Sequence, residues 1–258
     1  MTIALIIFFA LCIGSFLNVC IYRIPRKLSI RSPRRSFCPK CENQLSILEN
    51  IPVVSWIILR AKCRHCGQSI SGQYPLVELL SAFFALESYL HFGLNPTGVL
   101  VYLLCATLIV ITFIDLEFKI IPDIISFPGM IIGLGISVLA EYTKLFSVPI
   151  TEGALDSLLG MLAGGGFFYL LAEAYWRIAK KSGLGGGDIK LMGFVGALLG
   201  LKSITPTIFA GSLFGAVFGI AMIILRGGNR NTEIPFGPWL SLGVLVYVFF
   251  DFYVFKLF

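Results

Sequence analysis

Charged side chains are scarce in this sequence of 258 residues. Asp, Glu, Lys and Arg make up only 13% of it, whereas 57% is hydrophobic. Soluble globular domains usually carry about 25% charged residues, and so little charge cannot cover the apolar side chains of a water-soluble fold. The hydrophobic residues form runs of about 16 to 23, the length that crosses roughly 30 Å of hydrocarbon. The composition therefore predicts an all-α polytopic membrane protein that is surrounded by membrane lipid.

Histidine is scarcer still, because the chain has only His65 and His91. Each has a better local explanation than catalysis, and no Ser/His/Asp arrangement like that of a serine hydrolase is visible. No glycine-rich nucleotide loop follows a strand, and no internal repeat of the kind that marks many transporters is found. If the chain is an enzyme, carboxylates are therefore its expected catalytic groups.

Basic residues are unevenly placed, although the net charge of +6 would by itself allow nucleic-acid binding. No basic residue precedes the first apolar run, residues 1–22, and Arg23, Arg26 and Lys27 follow it directly. This polarity is opposite to that of a cleaved signal peptide and predicts a retained span with its N-terminus outside. Tracing the chain from there puts all but three of the 20 Lys and Arg residues on the cytoplasmic side. The charge therefore indicates membrane topology, and no nucleic-acid partner is expected.

The apolar runs divide the chain into three parts. We predict a first transmembrane helix at 1–22, a small polar cytoplasmic insert at 23–73 and a seven-helix membrane domain at 74–258, about eight transmembrane helices in all. The seven later runs are 74–92, 97–114, 124–140, 155–176, 189–201, 205–225 and 236–255.

Four cysteines in the insert form two CxxC pairs, Cys38/Cys41 and Cys63/Cys66. Each spacing lets a tight turn direct two thiolates to one ion, and two such turns complete a tetrahedral Zn²⁺ site. Four protein ligands leave no open position, so this zinc is predicted to be structural. Two disulfides, a redox dithiol, or His65 in place of one cysteine are the alternatives.

Two aspartates lie at predicted membrane edges. Asp115 ends the third apolar run and Asp188 opens the sixth, after Gly185 and Gly187, which allow close approach of another chain. Two carboxyl groups about 3 Å apart share a proton, so that one is neutral while the other activates water. The alternatives are that Asp188 is only a helix N-cap and that Asp115 is an ordinary interfacial charge. Asp123 is placed as well as Asp115, and the residues alone do not choose between them.

Several segments, in this order, resemble the type IV prepilin peptidases, the GxGD aspartyl proteases of type IV pilus and type II secretion systems. They are Gly14–Val19 with Tyr22–Pro25, both cysteine pairs, Asn50–Trp56, Tyr74–Glu78, the segment around Asp115, Gly185–Asp188 and Ile234–Pro238.

The resemblance implies that Asp115 and Asp188 are the catalytic pair, and it thereby chooses Asp115 over Asp123. It makes Asp123, Lys190, Gly185 and Gly187 supporting residues. The substrates it implies are prepilins and pseudopilins with a short basic leader before a hydrophobic helix. The location it implies is the inner membrane of a bacterium, with the active site facing the cytoplasm.

A second activity is implied by the resemblance alone. Many members of the family methylate the new N-terminal residue of the cut pilin with S-adenosylmethionine, and the cytoplasmic insert is implicated in this step. Two alternatives to the whole assignment remain, a polytopic transporter with acidic residues near the bilayer centre and a non-catalytic zinc-bearing assembly factor.

Overall fold

A computed structural model of the chain describes residues 1–33, 35–143, 150–180, 185–226 and 235–251. Parts of three features singled out in the sequence lie outside the described residues. These are the first part of the glycine-rich stretch before Gly185, Ile234 of the segment 234–238, and the end of the last apolar run after residue 251.

The fold is all-α, as the sequence predicts. Within the described ranges no β-strand forms, and the only bridges are two isolated ones in the insert, Phe37 with Gln44 and Lys62 with Ser69. The helices are α1 Thr2–Arg23, α2 Val54–Ile58, α3 Gln73–Phe92, α4 Pro96–Phe118, α5 Asp123–Thr143, α6 Ala154–Ala179, α7 Gly186–Leu199, α8 Ile204–Arg226 and α9 Gly237–Val246.

Five of the described helical segments are long and apolar enough to cross a membrane: α1, α4, α5, α6 and the segment Leu201–Leu225 that contains most of α8. The helix α7 has only 14 residues, about 21 Å of length, which is less than the hydrocarbon thickness. The total of about eight spans, which would add α3, α7 and α9, stays a prediction.

The chain divides into two compact units. The first comprises Met1–Leu94 and Gly98–Val110, and α1 packs against α3 within it. The two helices approach closely at Gly14, where an added Cβ would lie 2.6 Å from the Glu78 Cα. In the same helix pair, the fully buried hydroxyl of Ser81 in α3 donates to the Ala10 carbonyl oxygen in α1 at 2.8 Å.

The second unit, Asn95–Thr97 and Ile111–Phe258, is built around the short helix α7. Every residue from Leu191 to Leu199 is buried. The helices α5 and α6 pack on α7 through glycines: a Cβ on Gly133 would lie 2.9 Å from the Ala197 carbonyl carbon, and one on Gly160 would lie 2.5 Å from the Gly196 carbonyl oxygen. Small residues are what allow helix backbones to approach this closely in lipid.

We expect Gly160→Ala to destabilise the protein, because the new methyl group would overlap the backbone of α7. Overpacking of this kind costs about 1–3 kcal/mol. Gly166 lies on the same helix with nothing within 4 Å of an added Cβ, so Gly166→Ala is the matched control. It should leave stability unchanged or raise it by up to about 1 kcal/mol, since alanine is the better helix former. Thermal unfolding of the purified variants in detergent measures the difference, and equal melting temperatures would contradict this packing.

Candidate active site and candidate metal centre

Asp115 lies in the last turn of α4 and is only 5% exposed. Its Oδ2 accepts a hydrogen bond of 3.0 Å from the backbone N–H of Gly237. Gly237 is the first residue of α9, so the positive end of that helix points at the carboxylate. A helix N-terminus is a favourable place for a negative charge, and here the two are brought together from positions 122 residues apart.

Asp188 lies in the first turn of α7 and is 8% exposed. The N-cap position belongs to Gly185, so Asp188 is not itself the N-cap that the sequence allowed. Its side chain reaches back to the backbone N–H of Gly185, as an acidic residue does in a capping box. Its own N–H donates to the Gly185 carbonyl oxygen at 3.1 Å. The Asp188 carboxyl group can therefore cap the helix and also be available for catalysis.

The two buried carboxyl groups lie close enough for their charges to interact. Both belong to the second unit, and they come from helices separated by two others in the chain. Adjacent carboxyl groups that are withdrawn from water share a proton, which gives one acid and one base at the same place. Such a pair can activate water and protonate a substrate without a metal ion.

Two residues of this site carry no role in the sequence analysis, Ile121 and Gly237. A Cβ on Gly187 would lie 2.9 Å from the Ile121 Cβ, and one on Gly237 would lie 2.7 Å from the Asp115 Oδ2. Glycine is therefore needed at 187 for α7 to approach Ile121, and at 237 for α9 to approach Asp115. The sequence could have indicated Gly237 through the segment Phe236-Gly237-Pro238. Proline is common at the start of a helix, so Pro238 marks the place where α9 begins. No signal in the sequence marks Ile121.

Asp123 and Lys190 form a separate ion pair of 2.5 Å between the first residue of α5 and the first turns of α7. Their side chains are 60% and 33% exposed, far more than those of the buried pair. The Lys190 ammonium also lies 5.4 Å from the centre of the Phe127 ring. The charge that acts on Asp188 is that of Asp115. The two carboxyl groups near the end of α4 thus have different environments.

The four cysteines of the insert form one cluster, with all Sγ atoms within 4.8 Å of one another. The Sγ atoms of Cys38 and Cys66 are 3.9 Å apart. A Zn²⁺ ion with Zn–S bonds of about 2.3 Å places neighbouring sulfurs about 3.8 Å apart, so the donor set fits a structural zinc ion. All seven cysteines lie in the described part of the chain, and none forms a disulfide.

The two CxxC turns share one backbone geometry. In each turn the N–H of the first cysteine donates across the turn, from Cys38 to the Asn43 carbonyl oxygen at 3.0 Å and from Cys63 to the Gln68 carbonyl oxygen at 2.8 Å. The residue after the second cysteine has a positive φ in both, 58° at Glu42 and 70° at Gly67. The two halves of the cluster are therefore repeats of one structural element.

Backbone N–H groups in these turns point at the sulfurs. Burial acts to raise the pKa of the Cys38 thiol, but hydrogen bonds from the N–H groups of Cys41 and Lys40 outweigh it and lower the pKa to about 7. At Cys63, the N–H groups of Cys66 and His65 lower the pKa. At Cys66 the N–H of Gln68 lowers the pKa, but burial and the neighbouring thiols outweigh it and raise the pKa to about 11. Zinc binds thiolates, so the N–H groups at Cys38 and Cys63 favour the metal-binding form of the first sulfur in each turn.

His65 contacts an acid at the edge of the cluster. Its Nε2 lies 3.8 Å from the Glu49 carboxylate. The group of potential ligands that the structure brings together consists of the four cysteines, so histidine is not needed to complete a tetrahedral set.

Two family models of the A24 peptidases match successive segments of the chain. Residues 8–92 match the family model of the bacterial peptidase A24 N-terminal domain, and residues 102–220 match that of the type IV leader peptidase family. A relative from Aeromonas salmonicida (strain A449), named prepilin leader peptidase/N-methyltransferase, is 35% identical over 93% of this chain and 87% of its own length.

Two further relatives carry the same name. That of Xanthomonas campestris is 36% identical over 93% of this chain and 88% of its own length, and that of Myxococcus xanthus is 37% identical over 84% and 62%. No solved structure matches the chain. A transporter is not supported by any of these matches. The chain therefore belongs to the type IV leader peptidase family, the A24 family of membrane-embedded proteases whose relatives are named prepilin leader peptidase/N-methyltransferase.

Proposed function

We propose that this protein is a membrane aspartyl endopeptidase that removes the leader from type IV prepilins and pseudopilins, with Asp115 and Asp188 as its catalytic pair. The observation that carries the proposal is the meeting of these two buried carboxyl groups at the ends of α4 and α7. Membership of a leader peptidase family supports the reaction, and the prepilin in the names of the relatives supports the substrate.

In this mechanism Asp115 carries the negative charge, because the N–H of Gly237 and the N-terminus of α9 face it. Asp188 holds the proton. The Asp115 carboxylate takes a proton from water, whose oxygen bonds to the scissile carbonyl carbon while Asp188 protonates the carbonyl oxygen. The C–N bond of the tetrahedral intermediate then breaks, the leaving amine takes the proton from Asp115, and the hydroxyl proton returns to Asp188. General acid–base catalysis of this kind contributes about 10²–10⁴-fold.

We place the pair at the cytoplasmic edge of a bacterial inner membrane, in a chain of eight spans with its N-terminus outside. Asp115 lies at the end of an apolar helix of 23 residues, which supports a position near a membrane edge. The distribution of Lys and Arg supports the cytoplasmic side. An interfacial site can cut where a pilin helix enters the bilayer, without unwinding the helix in the hydrocarbon.

Asp123 and Lys190 are proposed to position the pair rather than to react. Their ion pair ties the start of α5 to α7 and so holds the connection that contains Ile121 against Gly187. Gly185 keeps a side chain away from the Asp188 carboxyl group, where a substrate backbone would lie, and Gly187 leaves room for Ile121.

The four cysteines, Cys38, Cys41, Cys63 and Cys66, are proposed to bind one structural zinc ion in the insert. The short sulfur–sulfur distances and the N–H groups directed at the thiolates support this role. A segment that lacks a hydrophobic core of its own usually needs such a metal to fold.

We also propose that the protein methylates the new N-terminus of the cut pilin with S-adenosylmethionine. The name shared by the relatives supports this second step. S-adenosylmethionine would supply the methyl group to the free pilin amine, the amine would give up a proton to water, and S-adenosylhomocysteine would be released.

Asp115→Asn and Asp188→Asn should each lower leader cleavage by at least about 100-fold, since either change removes the acid or the base of the pair. Cleavage is followed by the size shift of a prepilin that is co-expressed in a cell lacking its own peptidase. Glu173→Gln, at an exposed ion pair on α6, is the control and should cleave normally. Continued cleavage by either Asn variant, at normal protein levels, would remove the proposed pair.

The double variant Cys38→Ser, Cys63→Ser should lose its zinc, because one sulfur is removed from each turn. Bound metal, measured by mass spectrometry of the purified protein, should fall from about one ion per chain to near none, and the melting temperature should fall with it. Cys12→Ser, in α1, is the matched control and should retain the ion. Normal metal content in the double variant would contradict the site.

Mature pilin made with this enzyme should carry one added methyl group, about 14 Da, on its N-terminal residue. Mass measurement of the pilin N-terminal peptide tests this. The Asp188→Asn enzyme provides the control, because without cleavage no new N-terminus forms. A mature pilin without the added mass would restrict the protein to peptidase activity.

A further inference from the structure

One stretch of the insert, residues 47–58, exposes many aliphatic side chains. Six of them are between 39% and 81% exposed: Ile47, Leu48, Ile51, Val54, Ile57 and Ile58. We call these six side chains the aliphatic face. Water-soluble surfaces rarely carry so large a group of apolar side chains, and such a group usually marks contact with another protein or with a membrane.

The stretch has an outer and an inner side. In α2, the exposed residues Val54, Ile57 and Ile58 recur at the spacing i, i+3, i+4, which places them on one face of the helix. Trp56, between them, instead lines a cavity of about 570 Å³ in the first unit. Its indole N–H donates to the Ile70 carbonyl oxygen at 3.2 Å, which fixes the rotation of α2. The aliphatic face therefore points away from the interior of the unit.

The single charged residue of the stretch, Glu49, is turned inward. Its side chain is only 6% exposed and lines the same cavity. The carboxylate accepts a hydrogen bond of 2.8 Å from the Ser46 N–H and lies 3.8 Å from the His65 Nε2. The outer side of the stretch is thus left without charge, as contact with hydrocarbon requires.

Contacts within the first unit place the stretch beside the last turns of α1. The Val53 N–H donates to the Glu78 carboxylate of α3 at 2.7 Å, and the Glu78 backbone packs on Gly14 of α1. Gly14 lies nine residues before α1 ends at Arg23, which is about 13 Å along the helix. Since α1 is long and apolar enough to cross a membrane, the stretch lies at the depth of the membrane surface rather than in the water beyond it.

The turn at Val53 fixes this placement. Val53 is a β-branched residue with φ 59° and ψ −49°, an unfavourable backbone conformation that persists only where the surroundings impose it. In this conformation its N–H points at the Glu78 carboxylate, which is itself buried. The stretch is therefore tied to α3 at one defined point, immediately before α2 begins.

The charge of the insert suits a lipid surface. Residues 23–73 contain ten Lys and Arg residues and only two Glu, whereas acidic residues outnumber basic ones in the rest of the chain. Arg60 and Lys62 directly follow the aliphatic face, and both are exposed. Basic side chains next to an apolar segment are attracted to anionic head groups while the apolar side chains enter the boundary below them. Charge and depth together favour an anionic bilayer over a protein partner.

We propose that the insert docks on the bilayer that holds α1. The aliphatic face lies in the boundary between head groups and acyl chains, and Arg60 and Lys62 contact anionic head groups. Amphipathic segments of this kind bury their apolar side about 5–10 Å into that boundary. The lipid supports the outer side of the stretch, while its inner side forms part of the cavity wall. This docking goes beyond leader cleavage and methyl transfer and depends on neither.

Spin-label depth measurements on the purified, zinc-loaded full chain test this docking. The chain is placed, one copy each, in nanodiscs of phosphatidylcholine with about one-third phosphatidylglycerol, which supplies anionic charge. A nitroxide is attached through p-acetylphenylalanine in place of Ile58 or, as the control, of Gln44, an exposed residue beside the first CxxC turn. Collision rates with oxygen and with a water-soluble nickel complex give the depth of each label.

The label at position 58 should lie about 5–10 Å below the phosphates, and the label at position 44 should lie in water. Equal access of the nickel complex to both labels would overturn the proposal. Depth is measured without substrate, so failure of the proposed reactions would leave this result unchanged.

The double variant Ile57→Asn, Ile58→Asn should release the stretch from the lipid, because two amides would have to leave water. A label in place of Leu48 should then collide with the nickel complex at least about 3-fold more often. Leu28→Asn changes an exposed aliphatic residue of the insert outside the stretch and should leave that collision rate as it was. Retained zinc shows that both variants are folded. An unchanged rate in the double variant would count against the aliphatic face as the docking surface.

Two further samples distinguish anionic lipid from other partners. In nanodiscs of phosphatidylcholine alone the label at position 58 should lie closer to the water, because Arg60 and Lys62 then lack anionic head groups. The same depth in both lipids would refute the assignment to anionic lipid. A label that stays in water in the anionic nanodiscs and is covered only when prepilin is added would show that the face binds protein instead.

Discussion

The second unit depends on burying two carboxyl groups side by side. Removing two carboxyl groups from water is costly even when they share a proton, and the structure offsets the cost with backbone N–H groups, that of Gly237 at Asp115 and that of Gly185 at Asp188. Both donors lie at the starts of helices, Gly237 at α9 and Gly185 at α7. These two helix starts must therefore lie beside the end of α4, which carries Asp115. The close approach that this requires explains why the residues next to the site are glycines.

The same constraint explains the shape of α7. This helix carries Asp188 in its first turn, and every residue from Leu191 to Leu199 is buried, whereas α5 and α6 keep most of their residues on the surface of the unit. The backbones of α6 and α7 meet at Gly160 and Gly196, more closely than a side chain at either position would permit. Packing in the interior of the unit and geometry at the carboxyl pair are thus set by one element.

The first unit solves a different problem, because the insert has too little apolar material for a core. A sulfur cluster takes the place of that core, and the strained turn at Val53 joins the insert to the membrane helix α3 through Glu78. The insert and the ends of α1 and α3 together line a cavity of about 570 Å³, and most of its wall belongs to the insert.

Run length and spacing in the sequence by themselves determined the all-α class, most helix positions and the sulfur cluster, because these depend on local periodicity. The predicted run 124–140 became α5 at 123–143, and the two CxxC spacings met as expected. Spacing alone did not separate Asp115 from Asp123, and the resemblance chose Asp115. Only the tertiary structure decided which charge acts on Asp188, because that depends on what other helices bring to each acid. Glu78 had no role of its own in the sequence, where it only ended the segment Tyr74–Glu78, because its burial depends on contacts with segments far away in the chain.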